Sequence, residues 1–355
     1  MPTLTFDQVA KTCEKIMRAI GAPPHAAKLV GEYLATANLY GHDSHGIQNA
    51  IAYVDLTKRG IIKPKAKWKL VKESAGTALM DGRWGIGQVA CTEATKLAIR
   101  KARRYGTSSV GIFNCNHIGR LGDYSSMIAE SGMIGIIYAN CDPSVAPWGG
   151  MKSMLGTNPI SYAFPQKGEK PIMVDFASSA VAEGKIRAAM LKGDQVPDGW
   201  IMDTEGNPTN DPKKFYAEPY PPASVKVVGA QLPAAGHKGY GLAIVVDILG
   251  GVLTGTGVDG GVREWCNGVL IQALNIRDFV PEKRYYSMVR TLTNEIKKSP
   301  RAPGHSEILM PGEPEYRTAE KRQNEGIPIP DTTWQAITKI ARELQVDLKA
   351  IEKSV

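Results

Sequence analysis

Helical periodicity at both ends of the chain brackets a middle stretch in which helices alternate with apolar strands. At the N-terminal end Thr5 and Gln8 form a capping-box pattern, and Val9, Cys13, Ile16, Met17 and Ile20 recur at helical spacing. Gly21-Ala-Pro-Pro24 stops that run; a second helix is predicted over 25–40, ended by Gly41, and a third over 48–57. The C-terminal end reads as helix over 281–298, 316–324 and 332–344, the last with Thr332 and Gln335 as its own cap. Between these ends the pattern predicts a helix over 92–105, a strand over 108–114 and a helix after His117. Strands follow over 133–140, 159–164 and 172–176, then a buried, small-residue helix over 239–251 and a strand over 268–276. Segments 198–203 and 206–209 read as turns.

Alternating helix and strand argue for an α/β layered body. The expected organisation is a helical domain built from 1–70 together with 310–355, and an α/β body over 71–309, with a subdivision near 115–180. The 355 residues suffice for two or three domains and a large core, so no disulfide or metal staple is needed.

Several functions become unattractive on composition. The five cysteines (Cys13, Cys91, Cys115, Cys141, Cys266) are odd in number and scattered, with no CxxC pair, so neither a disulfide framework nor a zinc knuckle is indicated. A reducing, cytoplasmic setting is expected, and the N-terminal residues show no basic start followed by an apolar run. The most apolar stretch, 240–258, is interrupted by Asp247 and glycines, so no membrane span is expected. The net charge is +8, and its densest cluster, Arg100, Lys101, Arg103 and Arg104, reads as a solvated helix face rather than a nucleic-acid patch. A positive field also suits a phosphate-bearing cofactor or a carboxylate substrate.

Four of the six histidines sit beside glycines in polar turns: His42 and His45 in Gly41-His-Asp-Ser-His-Gly46, His117 in Asn116-His-Ile-Gly119, and His237 in Gly236-His-Lys-Gly239. One such histidine alone reads as turn chemistry. The set reads as a cleft lined by imidazoles, the usual proton donors and acceptors near neutral pH. No HExxH or comparable ligand set supports a metal site, and no GxSxG elbow supports Ser44-His45 as a hydrolase pair.

Gly255-Thr-Gly257-Val-Asp-Gly260 matches GxGxxG literally, but a helix precedes it where the dinucleotide fingerprint needs a strand, so it reads as a flexible loop. Better candidates for phosphates are Asp175-Phe-Ala-Ser-Ser179, read as following a strand and opening a helix through Gly184-Lys185, and Lys238 in a glycine-rich turn. Ordinary N-capping by Ser178 or Ser179 is the alternative use of the first segment.

Taken in order, Gly41-His-Asp-Ser-His-Gly46, Asn116-His-Ile-Gly119, Ala146-Pro-Trp-Gly-Gly150, Gly156-Thr-Asn-Pro159, Asp175–Ser179 with Gly184-Lys185, Gly236-His-Lys-Gly-Tyr-Gly241 and Pro311-Gly-Glu313 resemble the malate/L-lactate dehydrogenase family, the type 2 enzymes unrelated to Rossmann dehydrogenases. Its members include malate, lactate, sulfolactate and ureidoglycolate dehydrogenases, diketogulonate reductases and cyclic imine reductases. The resemblance spans roughly residues 5–346. It implies a family-specific, non-Rossmann fold for NAD or NADP with a large mixed sheet and flanking helices, a homodimer, and hydride transfer to a small 2-oxo acid. Cyclic imino acids and diketo sugar acids are the competing substrates.

By the same resemblance His45 and His117 line the substrate pocket, one as acid/base and the other as carbonyl orienter, with Ser44 positioning; His117 is the favoured acid/base. Cofactor contacts map to Cys141, to Asp175, Phe176, Ala177, Ser178 and Ser179, to His237 and Lys238, and to Gly312 and Glu313. One departure matters: relatives commonly carry an arginine five residues after the serine of the Ser-His-Gly motif, where this chain has Asn49, preceded by Gln48. Another cation such as Arg120 is then expected to grip the substrate carboxylate, or the substrate differs; the Gln48-Asn49 amides would suit a less charged one. Cys115 stands where many relatives have serine.

Overall fold

In the computed structural model, residues 1–218, 226–258, 264–348 and 351 are described. The N-terminal part contains β1 (Thr3–Leu4), α1 (Phe6–Ala19), α2 (Pro24–Leu39) and α3 (Asn49–Lys58). The capping box at Thr5 forms with both hydrogen bonds in place, and Val9, Cys13, Ile16 and Met17 are buried as the periodicity predicts. The central part runs β2 (Lys69–Glu73), β3 (Thr77–Asp81), α4 (Gly87–Tyr105), β4 (Thr107–Asn116), α5 (Gly122–Glu130), β5 (Met133–Ala139), β6 (Ile160–Phe164), β7 (Ile172–Phe176) and α6 (Glu183–Lys192). Then come β8 (Ile201–Met202), β9 (Pro208–Thr209), β10 (Ala230–Gln231), α7 (His237–Val246), β11 (Cys266–Asn275), α8 (Glu282–Lys297), α9 (Glu313–Glu325), β12 (Ile327–Pro328) and α10 (Asp331–Glu343).

Among the described residues the main sheet has seven strands in the order β2-β3-β4-β11-β5-β6-β7. Only β3–β4 is parallel; the other pairings are antiparallel. This is a mixed sheet with no Rossmann strand order, as the resemblance implies. α4 and α5 cover one face, and Ala94, Ala98 and Ala102 let α4 lie close to the sheet while Val110, Ile112, Ile137, Val269 and Ile271 fill the layer beneath. A separate apolar cluster joins both chain ends: Leu4, Ile16, Val30, Leu34 and Tyr53 pack with Ile327, Ile329, Ile337 and Leu348, and β1 pairs with β12.

Several details differ from the sequence reading. β2 and β3 escape it because β2 is largely exposed and carries almost no apolar signal. The segments 198–203 and 206–209 hold the two-residue strands β8 and β9, which with β10 form a small second sheet. The last helix has Pro330 at its N-cap with no side-chain bond, so Thr332 and Gln335 do not cap it. Lys101 is buried, its Nζ on the Ser74 carbonyl at 2.6 Å and on Glu73 at 2.8 Å, so it leaves the basic face to Arg100, Arg103 and Arg104.

The stretch over 239–251 is only partly buried. α7 continues into a π-helical turn over Asp247–Val252, and Val245, Ile248 and Val252 are exposed. Gly255 and Gly257 take positive φ directly after this helix, in keeping with the rejected dinucleotide fingerprint; the rest of that motif, 259–260, lies outside the described residues. Among the described residues no helix is long and apolar enough to cross a membrane.

Candidate active site

The turn between α2 and α3 carries the first histidines as a short 3-10 helix, Asp43–His45. It is pinned from the other end of the chain. Arg322 on α9 holds both carboxylate oxygens of Asp43, at 2.7 and 3.0 Å, and also donates to the Asn38 carbonyl. Asn38 completes the clamp, donating to Asp43 at 2.7 Å and accepting from the Ile47 N–H at 2.7 Å. A charge-assisted pair of this kind fixes a loop more tightly than neutral bonds do.

The second turn, Asn116-His-Ile-Gly119, follows β4. Asn116 Nδ2 donates to the Trp84 and Gly85 carbonyls, both at 2.8 Å, and the Ile118 N–H donates to Asn267 Oδ1 at 3.0 Å. Gly87 opens α4 so close beneath that a Cβ there would lie 2.0 Å from the Asn116 carbonyl oxygen. Glycine is therefore required for α4 to support this turn.

The two turns bring His45 and His117 together. Their rings stack at 5.6 Å between centroids with planes 17° apart, and both residues are half-buried. His117 is held through Nδ1 by the Tyr53 hydroxyl at 2.9 Å, and Gln88 Nε2 donates to that hydroxyl at 2.6 Å. Beside the Gln88 donor the Tyr53 oxygen can still accept from an Nδ1–H, which leaves Nε2 free to take a proton, or donate to a bare Nδ1. A phenol oxygen has one donor and two acceptor sites, so Tyr53 supports either tautomer. Trp265 meets the His117 ring edge-on at 5.1 Å. His45 has a looser contact, Ser44 Oγ to its Nδ1 at 3.3 Å; the adjacent side chains do meet, without the GxSxG setting of a hydrolase.

Burial pushes the His117 pKa down to about 3, helped by the neighbouring charges of His45 and Arg187. Burial likewise lowers His45 to about 4, with His42, Arg120 and Arg187 adding to the effect. Both imidazoles are therefore neutral at physiological pH in the free protein. Burial also raises Asp142 to about 6, against the lowering effect of the Trp265 backbone N–H.

The proposed substrate residues divide. Asn49 is 4% exposed, at the start of α3, and its Nδ2 is buried without a hydrogen-bond partner; Gln48 is the N-cap beside it and makes no capping bond. Arg120 is also buried, but its Nε and Nη2 both go to Asp123 Oδ1, at 3.1 and 2.6 Å, and its guanidinium lies 4.5 Å from the Tyr40 ring centroid. Its Nη1 is buried without a hydrogen-bond partner.

The predicted cofactor segments meet around the end of β7. The Ser178 N–H and hydroxyl both donate to the Thr157 carbonyl, at 2.9 and 3.0 Å. Asn158 Oδ1 accepts from the Cys141 N–H at 3.1 Å. The Ser178 carbonyl accepts from Ala234 at 2.9 Å, and a Cβ on Gly239 of α7 would lie 2.5 Å from it. Met173 of β7 donates to the Pro311 carbonyl at 3.1 Å, which places Gly312 (φ +96) and Glu313 beside the strand. Glu313 accepts from the Met310 N–H at 2.9 Å and pairs with Lys297.

Individual side chains there behave differently from expectation. Segment 175–179 does not open a helix: α6 begins at Glu183 with Ala182 as N-cap, and Ser179 Oγ donates to the Val181 carbonyl at 2.7 Å. Ser178 and Ser179 are thus neither caps nor free hydroxyls. Asp175 Oδ2 accepts from the Gly122 N–H at 2.7 Å, while Phe176 is exposed and Ala177 half-buried. His237 and Lys238 are exposed in the first turn of α7, two residues earlier than the predicted helix start; Gly236 precedes them with φ 64 and no side-chain cap. Lys238 and uncapped N–H groups form a donor set that fits a diphosphate.

Sequence reasoning missed Tyr53, Gln88, Trp265, Arg322, Glu183 and Arg187. None lies in a glycine-flanked turn, and each reaches the site only through the folded packing.

The chain matches the malate/L-lactate dehydrogenase family over residues 4–338. It is 36% identical to the malate dehydrogenase of Pyrococcus abyssi over 360 residues, covering 98% of this chain and 95% of that protein. It is 38% identical to the L-sulfolactate dehydrogenase of Methanocaldococcus jannaschii, covering 94% of this chain and 95% of that protein. The solved malate dehydrogenase of Pyrococcus horikoshii OT3 superposes with a TM-score of 0.87 at 33% identity, covering 98% of this chain and 96% of that one. Fold and sequence thus define a non-Rossmann oxidoreductase acting on CH–OH groups. The chain belongs to the malate/L-lactate dehydrogenase family, and membership implies a nicotinamide cofactor and a small-molecule hydroxy-acid substrate.

Proposed function

We propose that this protein interconverts a small 2-hydroxy acid of malate or lactate type and its 2-oxo acid, with NAD or NADP. His117 is the acid/base, His45 orients the carbonyl, and Ser44 positions His45. The carrying observation is the stacked histidine pair in which one ring is oriented through Nδ1 by a buried tyrosine. His117 has this support and His45 does not, which favours His117 for the proton transfer.

In the oxidation direction the free protein already holds His117 neutral, the state a base requires to take the hydroxyl proton. In the reduction direction the ring needs an additional proton, and negative charge developing on the substrate oxygen draws its pKa upward. His45 and the buried Asn49 amide supply donors for the carbonyl oxygen and the groups beside it. Trp265 and Tyr53 exclude water from one side of the pair.

Bound nicotinamide would supply the hydride acceptor or donor. Lys238, with the first N–H groups of α7, would hold its diphosphate. Cys141, the backbone of 175–179 and the Gly312-Glu313 turn would line the rest of its cleft. Exposed Val245, Ile248 and Val252 beside that cleft, with Met288 and Leu292 on α8, support a homodimer.

The test is consumption of reduced nicotinamide, as NADH and as NADPH, against 2-oxo acids, cyclic imino acids and diketo sugar acids. Turnover confined to 2-oxo acids supports the reading. Turnover confined to cyclic imines would replace it with a C=N reductase.

A further inference from the structure

Position 49 carries an amide, and Arg120 holds Asp123 Oδ1 through Nε and Nη2, with only its Nη1 buried and without a partner. Another cation stands at the cleft. α6 packs its first turn against the first histidine turn: a Cβ on Gly184 would lie 2.6 Å from Ser44 Cβ. One turn further on is Arg187. Its Nη2 is fixed on Glu183 Oε2 at 2.5 Å, and Glu183 in turn accepts from the Tyr216 hydroxyl. Its Nε is buried and has no hydrogen-bond partner.

The electrostatics separate the two arginines. Arg187 acts on both His45 and His117, whereas Arg120 acts on His45 alone. A cation that acts on both rings lies near the pair, and the contact of Gly184 with Ser44 brings the start of α6 to the same turn. A buried guanidinium nitrogen with no partner is costly unless something else supplies an acceptor, and the carboxylate of a 2-oxo acid is such an acceptor.

We propose that Arg187, aligned by Glu183 and Tyr216, is the specificity-determining residue that takes the carboxylate of the substrate in this chain. The inference rests on the 2-oxo acid reading above and names the residue that selects for the acid. Glu183 and Tyr216 are positioning residues: they fix the guanidinium and leave Nε for the substrate.

The test compares wild type, Arg187→Gln and Arg187→Lys on pyruvate and its uncharged amide. The expected result is a kcat/KM for pyruvate lowered about 10- to 100-fold in Arg187→Gln, mostly through KM, as for loss of a charge-assisted hydrogen bond. The amide should change by less than about 3-fold, and Arg187→Lys should recover part of the loss. Unchanged binding of reduced nicotinamide, read by its fluorescence, shows that the variant is folded. Equal losses on acid and amide, or no loss on the acid, would overturn the inference while the 2-oxo acid reading stands.

Wild type inactive on every 2-oxo acid would instead defeat that reading. Arg187 is then judged by oxamate binding, followed through Trp265 fluorescence in Trp265-retaining variants. Salt-sensitive oxamate binding that disappears in Arg187→Gln supports the assignment, and binding identical in both proteins overturns it.

Discussion

His45 and His117, seventy-two positions apart in the chain, lie ring over ring at 5.6 Å with their planes 17° apart. Neither is charged near neutral pH, because burial and neighbouring cations hold both well below the ordinary imidazole range. Two neutral rings can stack this closely without charge repulsion. The remaining contacts then decide which of them handles the proton.

Tyr53 is the contact that distinguishes His117. Tyr53→Phe removes the bond to Nδ1 and leaves the Gln88 amide buried without its partner. We expect kcat to fall about 10-fold or more as the ring loses its orientation, with KM nearly constant. Unfolding should be easier by about 1–3 kcal/mol. Steady-state kinetics and denaturant titration read the two effects separately.

Arg322 reaches the site from the far end of the chain. Arg322→Met releases Asp43 and the Asn38 carbonyl, and with them the turn carrying Ser44 and His45. Asp43 is 44% exposed, so the ion pair itself is worth little beyond about 1 kcal/mol after solvent screening. The activity loss should therefore exceed the stability loss. A variant that loses stability but keeps full kcat would show that the turn holds without its clamp.

Acid should weaken the protein through the same histidines. Folded His117 stays neutral down to about pH 3, while the unfolded ring takes a proton below its ordinary 6.5. The unfolded state binds more protons across that window, so stability declines as pH falls through it. Asp142 and Asp247, raised to about 6 by burial, act in the opposite sense, because the folded carboxyls bind protons before the unfolded ones do. His117→Asn should make Tm less sensitive to pH between about 6.5 and 4. An unchanged slope would mean that the ring is not buried as neutral imidazole.

Lys238 should matter to cofactor and not to chemistry. Lys238→Ala is expected to raise the dissociation constant of reduced nicotinamide by roughly 5- to 20-fold and to flatten its salt dependence, with kcat at saturating cofactor preserved. A Kd that does not move would place the diphosphate elsewhere.

The apolar side chains left outside the fold bear on assembly. Met288 and Leu292 on α8 are each 57% exposed. If they meet a second copy, Leu292→Glu shifts the sedimentation coefficient from dimer toward monomer. A wild type that sediments as a monomer would remove the homodimer.

Much of this molecule is legible in the sequence because the signals are local. The capping box, the helix-stopping glycines and the apolar runs of β5, β7 and β11 each report structure within a few residues. His45 and His117 stand out for the same reason, as polar residues in glycine-flanked turns. Tyr53 does not: on α3 it looks like one more core side chain, and its hydroxyl becomes informative only when His117 is beside it. Arg322 is silent for the same reason, since its partner Asp43 lies at the opposite end of the chain. β2 is missed because an exposed edge strand carries little hydrophobic pattern. The helix expected at 175–179 begins instead at Glu183, because both serine hydroxyls bond to backbone carbonyls and leave no cap.

The most direct test of the central claim is single-turnover hydride transfer in His117→Asn, started from a complex saturated with reduced nicotinamide and the preferred 2-oxo acid. The account predicts cofactor binding like wild type and a hydride-transfer rate lower by about 10²- to 10⁴-fold, the usual worth of a positioned acid/base. A rate equal to that of wild type, with the proton still delivered, would contradict it and move the acid/base away from His117.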